Sequence, residues 1–142
     1  MLMNVNELLG QEWVTLQNNF EQYERSALAL KGCSLVICFA GLLMALDANL
    51  MAAVMLVCWL QEGIFRTFQS RLGHRILKVE SLIAQGALPP SAPLPFQLHS
   101  EWLATRRSGV ALLQEYAASA CRPTVAYPHG LFFVGFLILG LW

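Results

Sequence analysis

The sequence predicts an all-α integral membrane protein with three transmembrane helices and a cytoplasmic helical layer, in a single domain over residues 1–142. The first observation is composition: 56% of the residues are hydrophobic and 13% are charged, whereas an average soluble domain has about 25% charged residues. The second is the presence of three apolar runs, and the third is the placement of the basic residues. Composition excludes a disordered chain, a disulfide-rich miniprotein and an ordinary soluble enzyme.

Residues 1–26 are expected to form a cytoplasmic amphipathic helix that continues into the first span, because nothing breaks the helix before residue 30. Its large apolar side chains recur every three or four residues, as in a heptad pattern. This oligomer stripe consists of Leu9, Trp13, Leu16, Phe20 and Tyr23. The stripe has two interpretations: it joins subunits of a homo-oligomer, or it packs on the cytoplasmic helices of its own chain.

Three apolar runs define the predicted spans. The first covers residues 27–46, and twenty helical residues rise about 30 Å, the thickness of the hydrocarbon core. A polar turn at 47–49 makes the second span, 50–68, an antiparallel neighbour of the first. The third span, 125–142, is nearly long enough to cross, with Pro128 close to its first turn, where a missing N–H does little harm.

The segment between the second and third spans, residues 69–124, is expected to hold cytoplasmic helices. The first of them continues from the second span and ends near Gly86. Prolines then impose an extended linker over 86–97. Ser100 is expected to cap a second helix over 101–120.

The nine basic residues determine the predicted orientation. Two lie before or at the start of the first span, and seven lie from Arg66, at the end of the second span, to Arg122. Since the cytoplasmic loops of membrane proteins hold the excess of Lys and Arg, the N-terminus and the 66–124 segment are expected in the cytoplasm. Asp47 and Trp142 are expected on the far side of the membrane, periplasmic or extracellular.

Lys31, Glu62 and Arg66 form a predicted structural ion cluster. Charges at membrane depth are costly, and the antiparallel hairpin brings Lys31 and Glu62 to similar depths near the cytoplasmic interface. Arg66 follows Glu62 by four residues, the favourable order for an ion pair on one helix. Two alternatives stay open: snorkelling of the basic side chains to the headgroups, and an ion or proton pathway.

Small residues and the absence of catalytic motifs complete the pattern. Gly41 and Ala45 have the spacing that lets membrane helices approach closely, within one chain or between subunits. The four cysteines form no CxxC pair and the three histidines are scattered. No cofactor, metal or catalytic residue is therefore predicted, and no enzymatic activity is expected.

Short motifs of the chain resemble a widespread family of small bacterial inner-membrane proteins with three spans and no assigned function. They are Leu30-Lys31-Gly32, Gln61-Glu62-x-x-Phe65-Arg66 and Arg122-Pro-Thr…Tyr127. Two positions depart from the family pattern: Cys33 stands where Trp is usual, and Met55 stands where an Asp is common. The resemblance implies an accessory or effector-like protein, as in antiphage defence.

Two functional hypotheses follow. The first is a homo-oligomeric, membrane-permeabilising or pore-like effector, acting in defence. The alternative is a membrane scaffold that anchors a soluble cytoplasmic partner through its cytoplasmic helices. The expected partners are membrane lipids, other copies of the chain and a soluble protein; nucleic acid is excluded because nine basic residues balance nine acidic ones.

Overall fold

A computed structural model describes residues 4–86, 95–105 and 109–141, which contain helices and no strand. The helices are α1 (Val5–Leu43), α2 (Ala48–Ala84), α3 (Leu98–Thr105), α4 (Val110–Ala120) and α5 (Pro123–Leu139). The all-helical prediction is confirmed for this part of the chain. Two of the helices, α1 and α2, are long and apolar enough to cross a membrane.

The helix α1 is continuous over 39 residues, so the predicted N-terminal helix and first span are one element. Asn4 and Glu7 form a capping box at its start, in which each side chain accepts a hydrogen bond from a backbone N–H. At about 1.5 Å per residue, α1 is about 58 Å long, roughly twice the hydrocarbon thickness of a bilayer. It is long enough to hold both a membrane span and a helix outside the bilayer.

A short turn joins α1 to α2. Asp47 caps α2, its carboxylate accepting a hydrogen bond from the Leu50 N–H at 2.8 Å. Ala45 lies in this turn, exposed and with a φ of 50°, because α1 has already ended at Leu43. Ala45 therefore does not share a helix face with Gly41, which corrects the predicted pair of small packing residues.

Gly41 alone makes the predicted close contact. It is buried on α1, and a Cβ at this position would overlap the side chain of Met51 on α2. The absence of a side chain thus lets the two helices approach near their turn. The antiparallel hairpin predicted from the short polar turn is present.

Two apolar cores hold the hairpin together. The distal core, far from the turn, consists of Leu9, Leu16, Leu72, Ile76, Val79 and Leu82. The turn-side core consists of Cys38, Met51, Ala52, Met55 and Phe136. The second core includes α5 as well as α1 and α2, so α5 packs against the hairpin over its apolar half.

The oligomer stripe lies in the distal core of its own chain. Leu9 and Leu16 are 0% and 4% exposed, and Trp13, Phe20 and Tyr23 pack against the same core. The narrow apolar spacing suits an intramolecular pair of antiparallel helices as well as a contact between subunits. The packing within one chain favours the alternative that the sequence left open, and the role of these five residues in subunit contacts stays a prediction.

The predicted helix over 101–120 is two helices instead of one. α3 begins at Leu98, so Ser100 lies within its first turn and does not cap it. α4 begins after Gly109, whose φ of 59° is readily adopted only by glycine. Residues 106–108, and most of the predicted proline-rich linker at 87–94, lie outside the described residues.

A kink at Tyr127, with φ −89° and ψ 131°, divides α5 into a short first turn and a longer apolar piece. Pro128 begins the longer piece, where its missing N–H is harmless. That piece is about 18 Å long at about 1.5 Å per residue. Its end at Gly140 lies against the Asn49 side chain at the start of α2.

Candidate functional site: a buried ion cluster

Glu62 is a fully buried carboxylate with basic side chains around it. Its Oε1 lies 3.1 Å from the Lys31 Nζ and 3.8 Å from the Arg66 Nε. Its Oε2 lies 3.0 Å from the His129 Nε2. The structure therefore brings together the three residues of the predicted ion cluster and adds His129 to them.

The cluster joins three helices at one level. Lys31 belongs to α1, Glu62 and Arg66 to α2, and His129 to α5. The Lys31 ammonium also donates a hydrogen bond to the backbone carbonyl of Thr124, in the first turn of α5. A buried carboxylate is stable only when paired and hydrogen-bonded, so these contacts tie α5 to the α1–α2 hairpin.

Exposure within the cluster is uneven. Glu62 and His129 are 0% exposed, whereas the side chains of Lys31 and Arg66 are 21% and 18% exposed. Arg66 donates from Nη1 to the Gln69 Oε1 at 2.6 Å. Because the Lys31 ammonium bonds to Glu62 instead of extending to the surface, the geometry favours the ion-pair interpretation over snorkelling.

The cluster lies inside a band of exposed apolar side chains, not at its edge. We call this the apolar band: residues 28–46 of α1 with the turn, 50–68 of α2 and 131–141 of α5, where most of the large exposed side chains are apolar. Leu28, 60% exposed, is one helical turn beyond Lys31, and Phe68, 37% exposed, is six residues beyond Glu62. The charged layer is therefore one to two turns inside the band.

His129 is not among the site residues predicted from the sequence, in which the three histidines are scattered. The depth count that paired Lys31 with Glu62 finds His129 only once the level of α5 relative to α2 is known. His129 lies eleven residues before Gly140, which packs beside Asn49 at the turn level, and Glu62 lies fourteen residues after Ala48. Two side chains at similar distances from one turn level lie at similar depth in a bundle.

A second buried ion pair lies beside the distal core. The Glu12 carboxylate accepts from the Arg75 Nε at 2.8 Å and from the Arg75 Nη2 at 3.1 Å, and both residues are 3% exposed. The same carboxylate accepts the Phe96 N–H at 2.9 Å. Glu12 lies outside the predicted apolar stripe, and periodicity does not show that a partner on α2 accompanies it into the interior.

A cleft between α2 and α3 carries basic and aromatic side chains. The Arg71 guanidinium lies 5.3 Å from the ring centroids of both Phe68 and Trp102, within the range of cation–π attraction. Its Nε is also 3.4 Å from the Glu115 Oε1. The cleft has a volume of about 400 Å³ and is lined by Arg71, His74, Arg75, Lys78, Leu98, Trp102 and Ala104.

Metal binding has no support in residues 4–86, 95–105 and 109–141, where no three His, Cys, Asp or Glu side chains are grouped to hold an ion. The four cysteines are free thiols. Met55, at the position where the resembling family often has an Asp, is fully buried in the turn-side core.

The chain matches no family model, no curated protein and no solved structure.

Proposed function

We propose that this protein is a membrane anchor that holds a soluble cytoplasmic partner at the bacterial inner membrane. The apolar band supports the membrane part of the proposal. It covers three helices, and single side chains in it reach high exposure, such as Leu43 at 88%. Soluble proteins rarely expose contiguous apolar surface on this scale, whereas lipid covers it without cost.

The third span is part of this proposal. The apolar piece of α5 is shorter than the hydrocarbon core, but it extends from the level of Glu62 to the level of Asn49. It accompanies α2 over most of the apolar band, and its tie to Lys31 lies one turn inside the cytoplasmic edge. Together with the basic residues on one side, this arrangement supports a cytoplasmic N-terminus and a C-terminus on the far side.

The cleft between α2 and α3 is the observation that carries the partner part of the proposal. Its lining combines basic side chains with Trp102, and His74 and Lys78 on its α2 side are exposed. Aromatic and basic groups together are typical of protein-interaction hot spots. An acidic segment with an apolar or aromatic side chain has the complementary chemistry, and the cleft lies on the part of α2 that continues beyond the apolar band.

A pore-like homo-oligomer is the second candidate, because ionisable residues at membrane depth often mark ion pathways and Glu62 lies inside the apolar band in contact with His129. Against it, no residue in 32–46 or 50–60 carries a charge. Those surfaces provide poor lining for a water-filled path. The packing of the stripe within its own chain also leaves less of its apolar surface for subunit contacts.

Site-specific photo-crosslinking tests the anchor. The full-length protein would carry the crosslinking amino acid at His74 in the cells that make it, with Arg25, 81% exposed on α1, as the control position. We expect a soluble protein crosslinked at His74 and not at Arg25, and loss of that adduct when Lys78→Glu reverses one charge. Crosslinks only to further copies of the chain would overturn the anchor proposal.

Ion release from liposomes separates the two candidates. The purified wild-type protein should leave ion-loaded vesicles intact if it is an anchor. Release that is abolished by Glu62→Gln would support the pore instead. Matched vesicles without protein give the background rate of leak.

A further inference from the structure

A groove separates α1 from α5 in the apolar band. Both helices pack chiefly on α2, and α5 touches α1 at few points. Two cavities of about 430 Å³ each lie along the gap, and they share Leu131 and Phe132 in their walls. Away from the ion cluster, the walls are almost entirely apolar, with Phe39 and Leu42 on α1 facing Gly135 and Leu139 on α5.

The cytoplasmic end of the groove is polar and basic. Lys31, Thr124 and Tyr127 line it. The Lys31 ammonium has three N–H donors, of which Glu62 and the Thr124 carbonyl accept two. Arg122 lies two residues before Thr124, is exposed, and has no acidic partner in the part of the chain that the structure describes. The positive charges at this end of the groove therefore outnumber the single negative charge of the nearby Glu62 carboxylate.

The length of the groove matches one acyl chain. From Lys31 to Leu42, α1 rises about 17 Å at about 1.5 Å per residue. That distance is close to half of the roughly 30 Å hydrocarbon core, which is the depth of one leaflet. A basic end joined to an apolar channel of this length has the shape and the charge complementarity of one anionic lipid with a single acyl chain in the groove.

We propose that this groove binds an anionic phospholipid, with its phosphate at Lys31 and Arg122 and one acyl chain between α1 and α5. This inference rests on the membrane location proposed above. The lipid fills the space that α5 leaves beside α1, and its phosphate accepts the remaining Lys31 donor. Lysine commonly binds phosphate, because its ammonium is a compact point charge.

Native mass spectrometry of the full-length protein tests the site, with phosphatidylglycerol and phosphatidylcholine as the lipid probes. The wild type should retain one phosphatidylglycerol in preference to phosphatidylcholine. Gly135→Phe should lower that retention about tenfold, equivalent to about 1.4 kcal/mol, because the new ring occupies the groove. A Cβ at Gly135 meets no atom within 4 Å, so the backbone accepts a side chain there.

Gly32→Phe is the matched control, since a Cβ at Gly32 also meets nothing within 4 Å and Gly32 does not line the groove. It should retain lipid as the wild type does. Arg122→Gln should reduce the preference for phosphatidylglycerol without changing the number of lipids bound. Equal retention by the wild type and Gly135→Phe would overturn the proposal, as would a dimer that Gly135→Phe disrupts, because a second copy would then occupy the groove.

The failure of the membrane location has a different readout. Alkaline carbonate extraction of cell membranes would release the wild-type protein if it were not integral. Retention in the carbonate pellet combined with no lipid preference would reject only the groove site.

Discussion

Glu62 and His129 form a contact between two side chains that are both 0% exposed, with the carboxylate Oε2 3.0 Å from the imidazole Nε2. The pair connects α2 to α5 at the level where Lys31 connects α1 to both. Within the described residues the His129 Nδ1 is buried without a hydrogen bond. The Glu62 contact is therefore the polar interaction that this ring makes with the hairpin, and its loss affects all three helices.

Replacement of Glu62 by alanine should strongly destabilise the protein. The change leaves Lys31 and Arg66 without their shared anion, and removal of one partner of a buried ion pair costs about 3–5 kcal/mol. Unfolding by a denaturing detergent, followed by circular dichroism, measures the free energy. Glu21→Ala is the control, because its pair with Arg25 is exposed and such pairs contribute about 0.2–1 kcal/mol.

A double-mutant cycle shows whether Lys31 and Glu62 act together. We expect the losses in Lys31→Ala and Glu62→Ala to be less than additive in the double variant, since the first change already breaks the 3.1 Å contact. Strictly additive losses of unfolding free energy would contradict the contact.

The buried pair between Glu12 and Arg75 should stabilise the end of the hairpin that holds the distal core. Arg75→Ala leaves a carboxylate that is 3% exposed without its bidentate partner, at a cost of about 3–5 kcal/mol. Glu12→Leu combined with Arg75→Met should recover much of this loss, because apolar side chains of similar volume replace buried ion pairs well. Hydrogen exchange of the α1 amides over residues 8–20 reports both effects. Unchanged exchange in Arg75→Ala would show that the pair does not hold this region.

The oligomer stripe should act within one chain. Leu16→Ser together with Phe20→Ser removes two side chains from the distal core, and loss of a buried leucine alone costs about 2–5 kcal/mol. We expect rapid proteolysis of the α1 and α2 segments that form the distal core, with the mass of the detergent-solubilised particle unchanged. Val14→Ser, at a position 51% exposed, should leave protease resistance intact. A shift to smaller particles with resistance retained would restore the subunit-contact interpretation.

The fold was predictable where one physical signal determined it. Apolar runs and the polar turn before α2 predicted the hairpin, and the opposite charges of Lys31 and Glu62 predicted their contact from depth alone. Helix ends were harder to predict. Gly109 begins α4 with a positive φ, and nothing in the apolar periodicity distinguishes that glycine from one inside a helix.

The candidate site was predictable only in part, because burial depends on neighbours from distant segments. Glu12 has the local surroundings of a solvated glutamate, and only Arg75, 63 residues away, brings it into the interior. His129 needed the level of α5 relative to α2, which the kink at Tyr127 sets. Heptad spacing in the stripe likewise specifies that a partner helix exists, but not whether the partner belongs to the same chain.

Gly63 should be required for the packing of α4 on α2. A Cβ there would lie 3.0 Å from the Ala120 Cβ and 3.3 Å from its Cα, so Gly63→Ala should push α4 away and cost about 1–3 kcal/mol. It should also weaken the 2.8 Å hydrogen bond from the Trp59 Nε1 to the Ala120 carbonyl, raising amide exchange in α4.

Gly10→Ala is the control, because a Cβ at Gly10 meets no atom within 4 Å. This change should stabilise α1 by about 0.5–1 kcal/mol. Equal gains from both changes would show that α4 does not approach Gly63.

The orientation of the chain can be read with a reporter that is active only in the cytoplasm. Fusions at residue 1 and near Pro90 should be active, because the basic residues on those segments keep them on the cytoplasmic side. A fusion after Trp142 should be inactive if α5 crosses. The short apolar piece of α5 makes this the decisive position, since a helix of about 18 Å crosses only where the bilayer thins or the flanking residues extend it.

A fusion in the turn at Asp47 is the matched control, because α1 and α2 require that turn to be on the far side whatever α5 does. Activity after Trp142 with inactivity at Asp47 would restrict the membrane anchor to two spans and return α5 to the cytoplasmic leaflet.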